Sequence, residues 1–345
     1  MNKHTVRLGL HSFSFENHFR YKTGFDAFAF IREAERLGLS GVHISMNDER
    51  YRWVGGTSPE RLRAVGAAAR ECGMYMETDT SGTDPVHLVK MLRACRLLGA
   101  DRLRTYIRHK GRPEEQVEAA IRDLREAAPV AADLGVNILL ENHEDFTGHE
   151  IRQILEAVDH PSVGALFDFG NSMMVLEDPL EAAKEVAPFV RSVHLKDHVV
   201  VLPPHGRSSN PSAAPLICGT PIGRGRIDID GVLAYLLENT ALNRVCIQSV
   251  YGFSAPIARH VERFAEISGR YPAFVPLEPP WDESICLLDS AALAESDPGR
   301  LLSYELSAVA SGTGKVREIL GRLGFGPADT GNDAAFVKSR AEPGS

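Results

Sequence analysis

Short apolar runs alternate with amphipathic stretches along most of this chain. The runs at 6–10, 42–46, 74–77, 103–107, 138–141, 163–168, 190–195 and 244–250 are rich in Val, Ile, Leu and Met and read as buried strands. Between them, apolar residues recur three and four apart, as in Phe25, Phe28, Ile31, Ala34 and Leu37, which is the spacing of one helix face. Glycine marks the helix ends in Leu37–Gly38, Leu98–Gly99 and Leu134–Gly135. Ser58–Pro59–Glu60 marks a beginning, with a cap followed by proline in the first turn. These signals predict helices at 25–37, 58–73, 85–98, 113–134 (interrupted by Pro129), 150–158, 179–189, 230–237 and 257–267. A long loop rich in Pro, Ser and Gly is expected at 199–227.

Strand and helix alternating in this way imply parallel strands joined by crossover helices. Eight such units match a (β/α)8 TIM barrel. A doubly wound sheet would bring a glycine-rich phosphate turn after the first strand, and His11–Ser12–Phe13 is not one. The barrel is assigned to residues 1–268 and a C-terminal extension to 269–345. The extension reads as a Pro-rich extended segment at 271–281, short helices at 290–293, 301–309 and 315–323, and a disordered tail from Asn332. It either covers a barrel end or packs on a neighbouring subunit.

Composition narrows the classes. The 345 residues are 43% hydrophobic, enough for a large core, and the net charge is −8 with a pI near 5.9. No polybasic block gives nucleic acid an electrostatic foothold. Five scattered cysteines without a C-x-x-C read as reduced, buried thiols. The N-terminus lacks an apolar signal-peptide core, and no run of 18 apolar residues offers a membrane span. A soluble cytoplasmic protein is predicted, with no membrane partner and homo-oligomerisation left open.

The chemistry sits where strands end. Glu141, Asp168, His194 and Gln248 close the fifth to eighth strands, and barrel strands converge at their C-terminal ends. Oxygen and nitrogen donors on four successive strands suggest one divalent metal ion, manganese foremost, with magnesium, cobalt or zinc as alternatives. His143 lies two residues beyond Glu141, so on a strand both share a face. An imidazole near neutrality suits proton transfer, and His143 is the candidate acid or base. Lys196 and His198 follow His194 at the same period of two, Lys196 as an electrostatic catalytic group and His198 as a substrate contact. Arg104 and Arg108 flank the end of the fourth strand and suit an anionic substrate, with Arg224 in the long loop as a further candidate. His11 is expected on the pocket floor, and Phe13, Phe15, Tyr51 and Trp53 could form an apolar wall.

These residues carry a resemblance. Glu141 in Leu-Glu-Asn-His, Asp168 in Phe-Asp-Phe-Gly-Asn, His194 in Val-His-Leu-Lys-Asp and the stretch 221–228, Pro-Ile-Gly-Arg-Gly-Arg-Ile-Asp, are similar to motifs of the xylose-isomerase-like barrel superfamily. That superfamily includes sugar isomerases and epimerases and endonuclease-IV-type DNA repair enzymes. The resemblance covers about residues 6–268 and implies a metal held by Glu141, Asp168, His194 and Gln248. The epimerases typically place a glutamate last, and their two metal-bound carboxylates pass a proton between substrate faces. Gln248 departs from that pattern, because an amide cannot accept a proton at neutral pH. What remains is enolate chemistry on a small oxidised sugar or sugar acid. The expectation leans to a lyase, by decarboxylation of a 3-oxo sugar acid or β-elimination from a 3-keto sugar. A sugar isomerase or epimerase is the alternative, with an endonuclease-IV-like enzyme and a non-catalytic binder behind it.

Overall fold

The computed structural model describes residues 5–202 and 214–326, so the tail expected from Asn332 lies outside the described residues. The strands are β1 (Arg7–His11), β2 (Gly41–Ser45), β3 (Tyr75–Asp79), β4 (Arg102–Thr105), β5 (Asn137–Glu141), β6 (Val163–Asp168), β7 (Val190–Leu195), β8 (His198–Val201), β9 (Leu216–Gly219), β10 (Arg244–Ile247), β11 (Ser254–Pro256) and β12 (Pro276–Leu277). The helices are α1 (Glu16–Tyr21), α2 (Ala27–Arg36), α3 (Pro59–Glu71), α4 (Pro85–Leu98), α5 (Pro113–Leu134), α6 (Gly148–Val158), α7 (Pro179–Val186), α8 (Ile229–Asn239), α9 (Phe264–Arg270), α10 (Ser290–Ser296) and α11 (Pro298–Arg322). Eight parallel strands close in the order β1-β10-β7-β6-β5-β4-β3-β2, the TIM barrel that the alternation predicts. Among the described residues no helix is long and apolar enough to cross a membrane.

The two faces of each strand do different work. One alternating set, including Leu8, Val42, Ile44, Leu103, Ile138, Leu140, Phe167, Val193 and Val245, joins the main apolar cluster with residues of the surrounding helices. The other set fills the barrel and is largely polar. At its floor the Tyr75 ring lies where a Cβ on Gly41 would approach within 2.1 Å, and a Cβ on Gly9 would come 2.2 Å from its hydroxyl. Arg244 and Arg7 stand 4.4 and 5.0 Å from that ring. Glu77 comes next. It takes Arg102 at 3.1 Å, Arg244 at 3.2 Å and the Ser192 hydroxyl at 2.7 Å. Burial opposes its ionisation, yet the two arginines hold its carboxyl at about 2.

Four elements differ from expectation. The stretch 199–227 is not simply a loop: β8 and β9 pair antiparallel, and with β11 and β12 they make a second sheet of order β11-β9-β8-β12. Beta-branched Val199, Val200 and Val201 supply the strand, a signal hidden among the prolines and serines that follow. The last crossover is not a helix over 257–267: β11 opens it and α9 starts only at Phe264. Pro129 does not break α5, which runs through it. The six-residue α1 carries no periodic signal and was not anticipated.

The extension settles onto its own barrel. Segments expected as separate helices at 301–309 and 315–323 form one helix, α11, through Gly312 and Gly314. A Cβ on Gly312 would lie 3.2 Å from Ile222, so glycine there permits close approach rather than a break. Val309, Val316, Ile319 and Leu320 belong to the same apolar cluster as the strands, so the core does not stop at residue 268. Arg317 donates to the Leu37 and Gly38 carbonyls at the end of α2, and Arg322 pairs with Asp230 of α8. Alpha-11 therefore stands between the first and seventh crossover helices, where the eighth belongs. Its Glu305 is buried and accepts from the Asn17 and His18 backbone N–H groups at 2.8 and 3.0 Å, from Asn17 Nδ2 at 2.9 Å and from His18 Nδ1 at 2.5 Å. One carboxylate thereby caps α1, which is separated from the strand that carries His11 by a single turn, Ser12–Phe15. Glu305→Ala would leave those donors unpaired in the interior and is expected to destabilise the protein by about 3–5 kcal/mol, read as a lower midpoint in chemical denaturation.

Candidate metal centre

The C-terminal ends of the eight barrel strands meet at the mouth. Register places Asp168 opposite His194 and Glu141 opposite Leu166, so the inward side chains of β5, β6 and β7 converge. His194 Nδ1 lies 3.0 Å from Glu141 Oε1 and 3.7 Å from Asp168 Oδ2. All three side chains are buried, and one donor atom from each falls within 4.8 Å of the others. Asp168 is fixed from both sides. Its Oδ1 accepts from Gly170 N–H at 2.9 Å and Asn171 N–H at 3.1 Å. The Asn142 side chain brackets its backbone, accepting at 2.7 Å and donating at 3.0 Å. Its Oδ2 makes no hydrogen bond, and the Lys196 ammonium sits 2.8 Å away as an ion pair.

The second oxygen of Glu141 is paired with Arg104 through one terminal nitrogen of the guanidinium, whose Nε has no hydrogen-bond partner. The cause is register: β4 lies beside β5, with Arg104 opposite Leu139, and the guanidinium reaches the neighbouring strand end. Burial alone would raise both carboxyls. Arg104 and His194 instead hold Glu141 well below the usual range, and Lys196 and His194 hold Asp168 below it. His194 is raised, because its two acids outweigh the burial that opposes them.

A divalent cation fits this donor set. The side-chain oxygens of Asp168 (Oδ2) and Gln248 (Oε1) are buried without hydrogen-bond partners, and carboxylate–carboxylate–imidazole ligation matches an oxygen- and nitrogen-seeking ion. Gln248 follows directly on β10, its N–H donating to the Leu195 carbonyl at 3.0 Å.

Other expected residues separate into those at the mouth and those elsewhere. His143 is half-buried and stacks on Tyr106, rings 3.8 Å apart and 9° from parallel. It is not an imidazole near neutrality: burial pushes it down to about 3 against the pull of Glu141, with Arg104 and Lys196 adding to the shift. Lys196 also donates to Asn171 Oδ1 at 3.1 Å. His198 begins β8 and lies against Gly170 with both ring nitrogens unpartnered, held down at about 3 by burial and Lys196. His11 reaches the floor, Nε2 2.9 Å from Asp79 Oδ2. Arg108 is exposed and donates to the Tyr106 hydroxyl at 2.7 Å. Arg224 is exposed in a separate groove of about 370 Å³ against α11, away from the cluster at the mouth. In the aromatic wall, Phe13 and Trp53 stack at 5.6 Å, whereas Phe15 and Tyr51 are buried in packing.

Sequence reading passed over three groups. Asp79 closes β3 two residues beyond Glu77, where the apolar run predicts the strand to end, and it continues the period of two from Tyr75 through Glu77. His43 was read as a strand residue, but it lies inward beside His194. Glu144 makes no hydrogen bond among the described residues, and burial raises its carboxyl despite Lys196.

The stretch 221–228 finds its reason in Asp197. That carboxylate accepts from Gly223 and Gly225 N–H at 2.8 Å, His198 N–H at 2.9 Å and Ile227 N–H at 3.3 Å. A Cβ on Gly225 would lie 2.0 Å from Asp197 Oδ1, so the wrap requires glycine.

Comparison with known proteins agrees with this architecture. A family model described as xylose isomerase-like TIM barrel matches residues 22–249. The uncharacterized protein YihM of Escherichia coli is 28% identical over 202 residues, covering 59% of this chain and 62% of that protein. The 3-oxo-isoapionate decarboxylase of Pectobacterium atrosepticum is 29% identical over 147 residues, covering 43% and 53%. The matched region thus spans between half and two thirds of these relatives. Among solved structures, D-psicose 3-epimerase with D-tagatose from Clostridium cellulolyticum H10 aligns with a TM-score of 0.60 at 14% identity, over 91% of this chain and 99% of that one, a likeness of fold.

Replacing Gly225 by alanine is expected to push the 221–227 turn off Asp197 and lower the unfolding midpoint by several degrees, the response of a lost buried hydrogen-bond set. Differential scanning calorimetry measures it, and an unchanged midpoint would show that the turn tolerates the side chain.

Proposed function

The chain belongs to the xylose isomerase-like TIM barrel family, and on that premise we propose that it is a divalent-metal-dependent lyase that decarboxylates a small 3-oxo sugar acid. One observation carries the reading: each carboxylate of the centre already has its own cation, Arg104 on Glu141 and Lys196 on Asp168. Two consequences follow.

The first concerns protons. A carboxylate paired with a buried cation is a weak base, and the strand-eight group is an amide. Passing a proton between two carboxylates has nothing to run on. Decarboxylation needs no base to start, since the electrons come from the breaking C–C bond and flow into the neighbouring carbonyl. It needs an electron sink and then a proton donor. The second concerns charge. Two anions balanced by two cations leave a divalent ion uncompensated in a buried mouth, and an anionic substrate corrects that imbalance.

Glu141, Asp168, His194 and Gln248 would hold the ion, which supplies Lewis-acid polarisation of the 3-oxo group when bound. Lys196, fixed by Asp168 and Asn171, returns the proton to the substrate carbon. His143, kept neutral, orients a substrate hydroxyl. Asn171 Nδ2, Ser172 Oγ, Thr220 Oγ1 and Ser249 Oγ are buried without partners, a supply of donors and acceptors suited to a polyhydroxylated ligand. The relative that is a 3-oxo-isoapionate decarboxylase supports this choice over the epimerase whose fold is shared.

The experiment presents 3-oxo sugar acids, 3-keto glycosides and ketoses to the Mn²⁺-loaded enzyme and follows CO₂, released aglycone and solvent deuterium uptake. CO₂ from a 3-oxo sugar acid is the expected outcome, abolished by a chelator and lowered about 10²–10⁴-fold in Lys196→Met. Deuterium exchange into a ketose without CO₂ would make the protein an isomerase or epimerase. Full turnover after chelation would remove the metal from the reading altogether.

A further inference from the structure

Beneath the metal centre, three histidines from three strands meet: His11, His43 and His194, with ring centroids 4.5–4.8 Å apart. Their nitrogens also fall within 4.8 Å of one another, so the cluster could itself be taken for a second metal site. Hydrogen bookkeeping decides between the two uses. If His194 ligates through Nδ1, the atom beside Glu141 and Asp168, its Nε2 must carry the proton. The neighbour of Nε2 is His43 Nδ1 at 3.2 Å, which must then accept. His43 Nε2 therefore carries a proton; it has no hydrogen-bond partner in this geometry, and the Asp79 carboxylate, with Oδ2 3.4 Å away, is the anion at ion-pair distance from it. A protonated ring nitrogen cannot bind a metal. The first centre, when filled through Nδ1, removes the second.

Asp79 is built to receive that proton. Its Oδ1 accepts from the Ser45 hydroxyl at 2.7 Å. Its Oδ2 accepts from His11 Nε2 at 2.9 Å, and the direction is fixed because His11 Nδ1 accepts from Phe13 N–H at 2.9 Å. Glu77 does not compete for His43 Nδ1: it stands 3.8 Å off, beyond hydrogen-bond reach, and its oxygens are held by Arg102, Arg244 and Ser192. An acceptor-only carboxylate thus sets His43, and His43 sets His194.

We propose that His43, anchored by Asp79, is a positioning residue that fixes His194 in its Nδ1-ligating tautomer and so raises the affinity of the metal centre. Outer partners of this kind are worth about 10–100-fold in metal affinity. The proposal rests on the reading that Glu141, Asp168 and His194 hold a divalent ion. It adds residues on strands that supply no ligand.

The test titrates metal-stripped full-length protein with Zn²⁺ against a chromophoric chelator and records ¹⁵N spectra of histidine-labelled, zinc-loaded protein. Wild type is expected to bind one equivalent, with His194 ligated at Nδ1 and protonated at Nε2. His43→Phe removes the acceptor and should weaken binding 10–100-fold. His43→Asn places an amide oxygen close to where Nδ1 stood and should recover most of that loss. Equal affinity in wild type and His43→Phe would overturn the proposal. Loaded wild type with His194 protonated at Nδ1 would do the same without any variant. Two equivalents in wild type, one lost in His43→Phe, would overturn it in favour of a second metal site. Wild type that binds no Zn²⁺ would instead sink the underlying reading of the centre, and is distinguishable by that alone.

Discussion

The interior of this barrel is a column of ionisable groups, and each must find its counter-charge without water. Burying an isolated charge is prohibitively costly, so the column is stable only if its layers match. Arginines at the floor neutralise Glu77. Above it, Asp79 receives His11 and His43. At the open end, Arg104 and Lys196 neutralise Glu141 and Asp168. The strand registers follow from this. A slip of one residue would turn every polar side chain toward the helices and every apolar one into the column.

The same constraint links the extension to the chemistry. The mouth is assembled from loops, and loops need something rigid behind them. Glu305 supplies it for the turn after β1, and the Asp197 wrap supplies it for the segment after β9. Alpha-11 presents Glu305 and also closes the helical ring, so the C-terminal segment is part of the barrel in both senses. Its Gly312 meets Ile222 in the turn wrapped by Asp197, which joins the two supports in one contact.

The barrel was legible because alternation is a long-range pattern: eight apolar runs, with helix stops at Gly38, Gly99 and Gly135, survive errors of a residue or two at each end. The donor set Glu141, Asp168 and His194 was legible for a related reason, since each closes an apolar run. What the sequence does not show is which neighbour a side chain reaches. Arg104 is one strand from Glu141, and nothing local to either residue says so. His143 was expected near neutrality, but its environment of Arg104, Lys196 and Tyr106 exists only in the folded mouth. Helix eight failed because it comes from a segment some thirty residues further on, while the nearer candidate is shortened by β11.

Gln248 gains its meaning from this charge balance. A glutamate at that position would add a third anion to the mouth and cancel half of the divalent charge that Arg104 and Lys196 leave standing. The centre would then suit a neutral sugar and would gain a carboxylate able to take a proton. The amide does neither. Its Oε1 is unpartnered and free to ligate, and under the proposed function the remaining electrostatic deficit would fall to the substrate. Exchanging one carboxylate for an amide therefore changes two properties together: the charge of the ligand the mouth favours, and the number of proton-accepting groups around it. Under the proposed function, both changes suit an acid that loses its carboxylate better than a sugar that inverts a centre, because departure of CO₂ would remove the charge that draws such a substrate in.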